Sequence, residues 1–358
     1  MRVVAALAVA VFCLPACELN RAEDAPASGI STGIDFRACQ AIDASEVDGR
    51  SYNQDIAAGL DRAATYLGVA TSHREVSSPT DLEKVIDSFV LRGCNLIVAP
   101  DTAGDLESLA EANRDTLFAL VDVDGSSLEE TATAEGGNIT EITFYVDQAA
   151  FLAGYVAAGT SASRTIATLA GRRVSENVDP IRAFAEGGRA YGDAHGSKIT
   201  VLGAPRGPVK ETATGSDEDD GLVQAQTLAF VRDGADVVYP VAGPASVGAL
   251  PPAAGAVGRS IALVWSGTNG CRALPESCEL FLTSVVNNYD NAVYDVIKEA
   301  VAERLDGGTY VGSLVNGGVG LSPYHSHRDE VSPELRQEVA DLRDDIIAGR
   351  SDYFGTAD

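Results

Sequence analysis

Short apolar runs alternate along the chain with longer stretches whose apolar residues recur every three or four positions. The runs are typical of buried strands, and the longer stretches are typical of helices that pack on one face. Their regular alternation predicts βαβ units, and therefore parallel sheets flanked by helices. The expected strands are 38–42, 95–100, 116–122, 165–170, 198–202, 236–241, 261–265 and 280–286. The expected helices cover 56–67, 81–92, 151–156, 181–191, 221–232, 290–305 and 333–347.

This alternation runs through two cycles, which predicts two α/β lobes in a hinged clamp. We expect the first lobe at residues 34–142 and the second at 143–287, with residues 288–358 crossing back between them. Because ligands of open α/β sheets lie beyond the carboxyl ends of the strands, a ligand is expected between the two lobes.

The first residues have the pattern of an export signal. Arg2 is followed by an apolar run too short to span a bilayer, and then by Leu14-Pro15-Ala16-Cys17. This ending resembles the lipobox of bacterial lipoproteins, which implies a signal peptide at 1–16 and a lipid on Cys17. The alternative is an ordinary signal peptide with an incidental cysteine. Residues 17–33 are polar and small, as in a flexible tether. We therefore expect a lipid-anchored protein of the cell envelope that faces outside the cytoplasm.

Export changes the interpretation of the remaining cysteines. Four cysteines in an oxidising compartment favour two disulfides. Cys271 and Cys278 bracket a short, turn-rich loop that a local bridge would hold. Cys39 and Cys94 each lie near the start of an expected strand, and a bridge between them is sterically possible if those strands are parallel neighbours.

Charge and missing motifs exclude several classes of function. The chain has 52 acidic and 26 basic residues, a net charge of −26, which disfavours nucleic-acid binding. The cysteines lack the paired spacing of a metal site, and His325 and His327 have no nearby third ligand. The chain also lacks a nucleophile elbow or a phosphate-binding loop. We expect neither an enzyme nor a bound metal or cofactor.

The segment 43–54 carries the strongest sequence signal for a binding site. It reads D-A-S-E-V-D-G-R-S-Y-N-Q and connects an expected strand to an expected helix. Polar groups and one aromatic ring are therefore displayed at the carboxyl end of a strand. We interpret this loop as one wall of a small-molecule site.

Four segments in the same order resemble the basic membrane protein (PnrA-like) family. Its members are nucleoside-binding lipoproteins of ABC transporters with the two-lobe type I periplasmic-binding-protein fold, in which each lobe is a parallel sheet flanked by helices. The resemblance covers nearly the whole mature chain. The matching segments are 43–54, D-Q-A-A-F-L-A-G (147–154), G-A-D-V-V-Y-P-V-A-G-P-A-S-V-G (234–248) and L-T-S-V-V-N-N-Y-D-N-A-V (282–293).

The resemblance implies a set of ligand-binding residues. Asp43, Tyr52 and Asn53 stand where the family contacts the base, Asp122 ends the last strand of the first lobe, and Gly243 lies in the loop close to the ligand. The alternatives are local: Asp43 caps the next helix, Tyr52 packs against that helix, and Asn53 closes a turn.

Departures from the family pattern include two candidate site residues. Trp265 stands roughly where the family has the Asp that grips the ribose, and Asn287 replaces a Lys. One hypothesis is that Trp265 holds a flat ligand against Tyr52. The alternative makes Trp265 a core residue near the end of a strand.

The resemblance implies an exported, lipid-anchored solute-binding protein. It would bind a nucleoside, a purine or another flat molecule and pass it to an ABC permease, with the lipid on Cys17 in the membrane and no nucleic acid as partner. The alternative is a surface lipoprotein that kept the fold but acts in macromolecular interaction or sensing, with a degenerate nucleoside site.

Overall fold

The structure, a computed structural model, describes residues 34–43, 52–76, 78–100, 106–121, 137–170, 174–204, 220–255 and 260–350. The expected signal peptide at 1–16, the tether at 17–33 and Asp122 lie outside these residues. Asp43 is described in its backbone alone.

Strands alternate with helices along the described chain, as the hydrophobic pattern predicts. The strands are β1 (Arg37–Asp43), β2 (Ala70–Val76), β3 (Leu96–Pro100), β4 (Leu117–Val121), β5 (Ile139–Phe144), β6 (Thr165–Ala170), β7 (Thr200–Leu202), β8 (Val237–Val241), β9 (Ala262–Gly267), β10 (Phe281–Asn287), β11 (Gly308–Gly312) and β12 (Val319–Leu321). The helices are α1 (Asn53–Leu67), α2 (Pro79–Leu91), α3 (Leu106–Ala112), α4 (Val146–Thr160), α5 (Val174–Ala194), α6 (Asp220–Arg232), α7 (Leu250–Ala254), α8 (Gly270–Ala273), α9 (Tyr289–Val301) and α10 (Pro333–Ile347).

The strands form two sheets of six. The first has the order β11-β5-β4-β3-β1-β2, and the second has the order β12-β10-β9-β8-β6-β7. Neighbouring strands are parallel except for β12, which runs antiparallel to β10. Helices cover both faces of each sheet, with α1 and α9 opposite α2 in the first lobe and α4 and α5 opposite α6 in the second. The predicted two-lobe α/β architecture is confirmed.

Local signals set several helix ends. Ser78 caps α2 by accepting a hydrogen bond from the Asp81 amide, and Ser332 caps α10 through the Leu335 amide. Gly68 ends α1 with a φ of 73°, a conformation that glycine adopts without strain. None of the described helices is long and apolar enough to cross a membrane.

Among the described residues, the chain passes between the sheets at three connections: β5 to α4, β10 to α9, and β11 to β12. The Tyr145 amide donates to the Gly312 carbonyl (2.8 Å), and the Asn288 amide donates to the Gly318 carbonyl (2.8 Å). A Cβ on Gly312 would overlap the ring of Phe144, so this glycine allows the β11–β12 connection to lie against the end of β5. These connections form the hinge region. The expected boundary at 142/143 falls inside β5, which belongs wholly to the first sheet.

The structure contains both disulfides that the sequence allowed. Cys39 on β1 is bonded to Cys94, just before the neighbouring parallel strand β3, with Cα atoms 6.1 Å apart. Cys271 on α8 is bonded to Cys278, with Cα atoms 4.4 Å apart. The second bridge closes the segment between β9 and β10, at the carboxyl edge of the second sheet.

Candidate functional site

The aromatic residue of the predicted binding loop, Tyr52, lies where the two lobes meet. It directly precedes α1 and is half-buried. Its ring centroid lies 5.2 Å from that of Tyr289, which begins α9 after the hinge connection, and the Tyr289 ring meets Phe144 edge-on at 4.9 Å. Both neighbours sit at hinge connections. Tyr52 is therefore held against the hinge as a half-buried residue.

Asn53 follows Tyr52 as the first residue of α1 and is 5% exposed. Its carbonyl accepts a hydrogen bond from Nε2 of Gln40, a β1 residue that is itself buried (3.2 Å). Gln40 therefore ties the start of α1 to the strand that ends at Asp43. Sequence reasoning missed Gln40, because a polar residue within an apolar strand has no motif of its own.

Asn287 ends β10 on the second-lobe side of the hinge and is 7% exposed. Its Nδ2 donates to the hydroxyl of Tyr289 (3.2 Å). The structure therefore connects Asn287 to Tyr52 through one aromatic ring. These two predicted site residues are close together, although the sequence places them far apart.

Gly243 lies at the carboxyl end of another strand of the second sheet. It follows β8, is exposed and has a φ of 53°, which turns the chain into the short 3-10 helix Gly243–Ala249. Ser246 holds this turn, since its hydroxyl accepts from the Ala242 amide (3.2 Å) and lies 3.3 Å from the Pro240 carbonyl.

Trp265 packs inside the second lobe. It is 4% exposed, its ring lies 5.4 Å from that of Phe281, and it leaves no room for a side chain at Gly270. This packing is what the alternative interpretation, a core residue near a strand end, predicts. A ring contact between Trp265 and a ligand stays a prediction.

An ion pair joins the two lobes beside Tyr52. The carboxylate of Asp55, in the first turn of α1, forms a salt bridge with the guanidinium of Arg272 on α8. The Asp55 side chain is 10% exposed and that of Arg272 is 59% exposed. Because Arg272 follows Cys271, the disulfide that closes this segment also restrains the arginine. Sequence reasoning missed this pair, since nothing in either segment indicates that they meet.

The carboxyl group of Asp147 lies at the second-lobe end of a hinge connection, in the first turn of α4. Burial raises its pKa above the usual range, and the negative charge of Asp179 raises it further. The backbone amide of Gln148 opposes the shift by hydrogen bonding to the carboxylate.

One cluster of metal-ligating residue types occurs in the described part of the chain: Cys271, Cys278 and His325. Its two sulfur atoms are joined in a disulfide, so neither is a thiolate ligand. The neighbouring His327 is buried, with Nδ1 2.9 Å from a Glu330 carboxylate oxygen and Nε2 2.9 Å from the Glu279 carbonyl. These contacts give His327 a structural role.

Two α/β lobes joined by three connections, with polar and aromatic side chains between strand ends, define a solute-binding protein of the periplasmic type. A solved ABC transporter solute-binding protein from Aeropyrum pernix K1 has the same fold, with a TM-score of 0.65, 23% identity, and coverage of 88% of this chain and 92% of that one. The chain belongs to the PnrA-like family of ABC transporter substrate-binding proteins, whose profile matches residues 37–352. This is a family of binding proteins and not of enzymes.

The chain is also similar to bacterial proteins of the same kind. The ABC transporter nucleoside-binding protein BmpA of Lactococcus lactis subsp. cremoris is 24% identical over 368 residues, which cover 98% of this chain and 97% of that protein. Basic membrane protein B of Borreliella afzelii is 31% identical over 205 residues, which cover 56% of this chain and 55% of that protein. As an ABC transporter substrate-binding protein, the chain acts outside the cytoplasm on a small-molecule ligand and has a permease as partner.

Proposed function

We propose that this protein is a lipid-anchored receptor that captures a nucleoside or a similar flat solute between its lobes and delivers it to an ABC permease. One observation carries the proposal: the half-buried Tyr52 lies at the junction of the lobes, followed by the buried Asn53 and connected through Tyr289 to the buried Asn287. An aromatic face stacks on a flat ring, and amide groups read its polar edge.

Three further features support this proposal. Asp55 and Arg272 pair across the lobes, as expected of a clamp that closes on its ligand. The full-length similarity to a protein named as nucleoside-binding points to the same class of solute. The segment Leu14-Pro15-Ala16-Cys17 supports a lipid on Cys17. We also propose that Asp43, Asp122 and Gly243 contact the ligand from the ends of their strands.

Thermal unfolding with a panel of ribonucleosides and free nucleobases tests the binding proposal. A ligand at tenfold excess over its Kd stabilises the folded state by about 1.4 kcal/mol, which is a measurable rise in Tm. Tyr52→Ala should abolish that rise, whereas Tyr66→Ala, which removes an exposed ring elsewhere on α1, should preserve it. No shift with any compound would favour the surface lipoprotein that acts on macromolecules.

For the anchor, Cys17→Ser should move the protein out of the membrane fraction.

A further inference from the structure

The disulfide in the segment between β9 and β10 lies beside a histidine from a later part of the chain. Cys271 and Cys278 form the disulfide, and His325 begins the short 3-10 helix His325–His327 after β12. The two sulfur atoms and a ring nitrogen of His325 all lie within 4.8 Å of one another. Thiolates and imidazole are ligands that Zn²⁺ prefers in proteins. The fold therefore brings together three zinc-binding residue types that the sequence keeps apart.

A small rearrangement separates this cluster from a tetrahedral zinc site. Zn–S bonds of about 2.3 Å and Zn–N bonds of about 2.1 Å place neighbouring ligand atoms about 3.5–4 Å apart. The ring nitrogen of His325 therefore needs to move by roughly an ångström at most, and the sulfur atoms can separate once their bond is broken. The segment can follow, because all residues of the 3-10 helix Pro275–Leu280, which carries Cys278, are exposed or half-buried. Water can occupy the fourth position on the metal.

His325 differs from its neighbour His327 in its surroundings. His327 is buried, and both of its ring nitrogens lie 2.9 Å from oxygen atoms of the fold. His325 is exposed, and its backbone has a φ of 41°, which is uncommon for a residue with a side chain. Residues held in such conformations cluster at functional sites and ligand clamps. His327 is therefore committed to the fold, and His325 is the histidine that lies beside the sulfur atoms.

The two disulfides differ in how easily a reductant reaches them. Cys39 and Cys94 are 0% and 3% exposed inside the first lobe, whereas Cys271 and Cys278 are half-buried in a surface segment. Accessible disulfides are the labile ones. A dithiol reductant transfers two electrons and two protons to the bond between Cys271 and Cys278, which leaves two thiols, and the reductant itself becomes a disulfide. Zn²⁺ then displaces both thiol protons and binds the thiolates.

We infer that Cys271, Cys278 and His325 form a zinc site that replaces the disulfide when that bond is reduced. In both states the two cysteines are bridged, by a covalent bond in one and by the metal in the other. Because Arg272 follows Cys271 and pairs with Asp55 of the first lobe, the metal keeps this arginine in place under reducing conditions. The net charge of −26 also attracts cations to the protein. This inference does not depend on which solute the protein binds.

Absorption spectroscopy with Co²⁺ as a substitute for Zn²⁺ tests the site, because thiolate ligands give Co²⁺ a charge-transfer band. The purified, exported protein is treated with a phosphine reductant and titrated with Co²⁺ and then with Zn²⁺. The reduced parent should show the band and lose it to Zn²⁺, and the oxidised parent should show none. His325→Gln should weaken binding at least about tenfold, since even the loss of a residue that orients a metal ligand has an effect of this size. His73→Gln, which removes an exposed histidine from β2, is the matched control and should bind like the parent.

Alkylation followed by mass spectrometry identifies the cysteines that respond. After mild reduction, Cys271 and Cys278 should be labelled before Cys39 and Cys94, and Zn²⁺ should protect them from the label. The inference is overturned by the absence of the band in the reduced parent, by labelling of all four cysteines at one rate, by a lack of zinc protection, or by parent-like affinity of His325→Gln. Because none of these measurements needs a bound solute, their failure leaves the proposed function to its own test.

Discussion

Asp147 lies in the first turn of α4, next to the β5–α4 connection of the hinge region. Its raised native pKa means that the folded chain keeps this proton at pH values where the unfolded chain has lost it. The free energy of unfolding therefore contains a contribution that decreases as pH rises from about 4, the pKa of an unfolded aspartate, through the native pKa.

Asp147→Asn should remove that decrease, since the amide stays neutral. The Tm of the variant should therefore increase relative to the Tm of the parent as the pH rises from 4 to 7. Asp193→Asn, which makes the same change in net charge at an exposed position of α5, controls for overall charge. A Tm difference that does not change with pH would show that burial does not govern this carboxyl group.

Individual site residues differ in how far the sequence could reveal them. Tyr52 and Asn53 follow one another in a loop with a recognisable pattern, so one segment was enough to propose them. Asp55 has no such pattern. It matters because a segment of the other lobe reaches it. A contact of this kind depends on how the two lobes meet, which a single sequence does not encode in any local motif.

The packing of α4 against α5 depends on two glycines that face opposite helices. A Cβ on Gly154 would overlap the Phe184 carbonyl, and a Cβ on Gly187 would overlap the Phe151 carbonyl. The two backbones therefore approach each other more closely than any side chain allows.

Gly154→Ala has two opposite effects on stability, one through helix propensity and one through packing. Alanine is favoured over glycine inside a helix by about 1 kcal/mol, but overlap with a backbone carbonyl forces the helices apart, and overpacking costs about 1–3 kcal/mol or more. We expect a net decrease of about 1–2 kcal/mol in the free energy of unfolding, measured by urea denaturation. Gly320→Ala in β12, where a Cβ meets nothing within 4 Å, is the control. A more stable Gly154→Ala variant would show that the helices can separate without cost.

Three of the strands that the sequence missed, β2, β11 and β12, lie at the edges of the sheets, whereas β5, which was also missed, lies between two strands of the first sheet. Central strands such as β3 and β8 are buried on both faces and read as continuous apolar runs. β2 is an edge strand, A-T-S-H-R-E-V, with mostly exposed or half-buried side chains, and β11 is an edge strand that begins and ends with glycine. Because edge strands do not need an apolar pattern on both faces, hydrophobic periodicity does not detect them.

The ion pair between Asp55 and Arg272 joins the two lobes of the molecule. A partly exposed pair stabilises the joined state by up to about 1 kcal/mol, equivalent to about a fivefold change in an equilibrium constant. Arg272→Gln should therefore shift the ligand-free protein toward more open conformations.

Small-angle X-ray scattering at low ionic strength measures this shift as a larger radius of gyration for Arg272→Gln than for the parent. The difference should shrink at about 0.5 M salt, where exposed charges are screened. Arg304→Gln removes an arginine that pairs with Glu299 near the end of α9, within one lobe, and should not change the radius. If both variants scatter like the parent at low salt, the pair does not hold the lobes together.

The three connections between the lobes also determine when each lobe can finish folding. The first lobe needs α9, which packs on α1, and the edge strand β11, yet both follow the whole of β6 to β10 in the chain. The second lobe in turn waits for β12 and α10. Neither lobe is therefore a continuous stretch that could finish folding while later residues are still being synthesised. Both lobes therefore stay incomplete until the segments from α9 to α10, near the end of the described chain, are present.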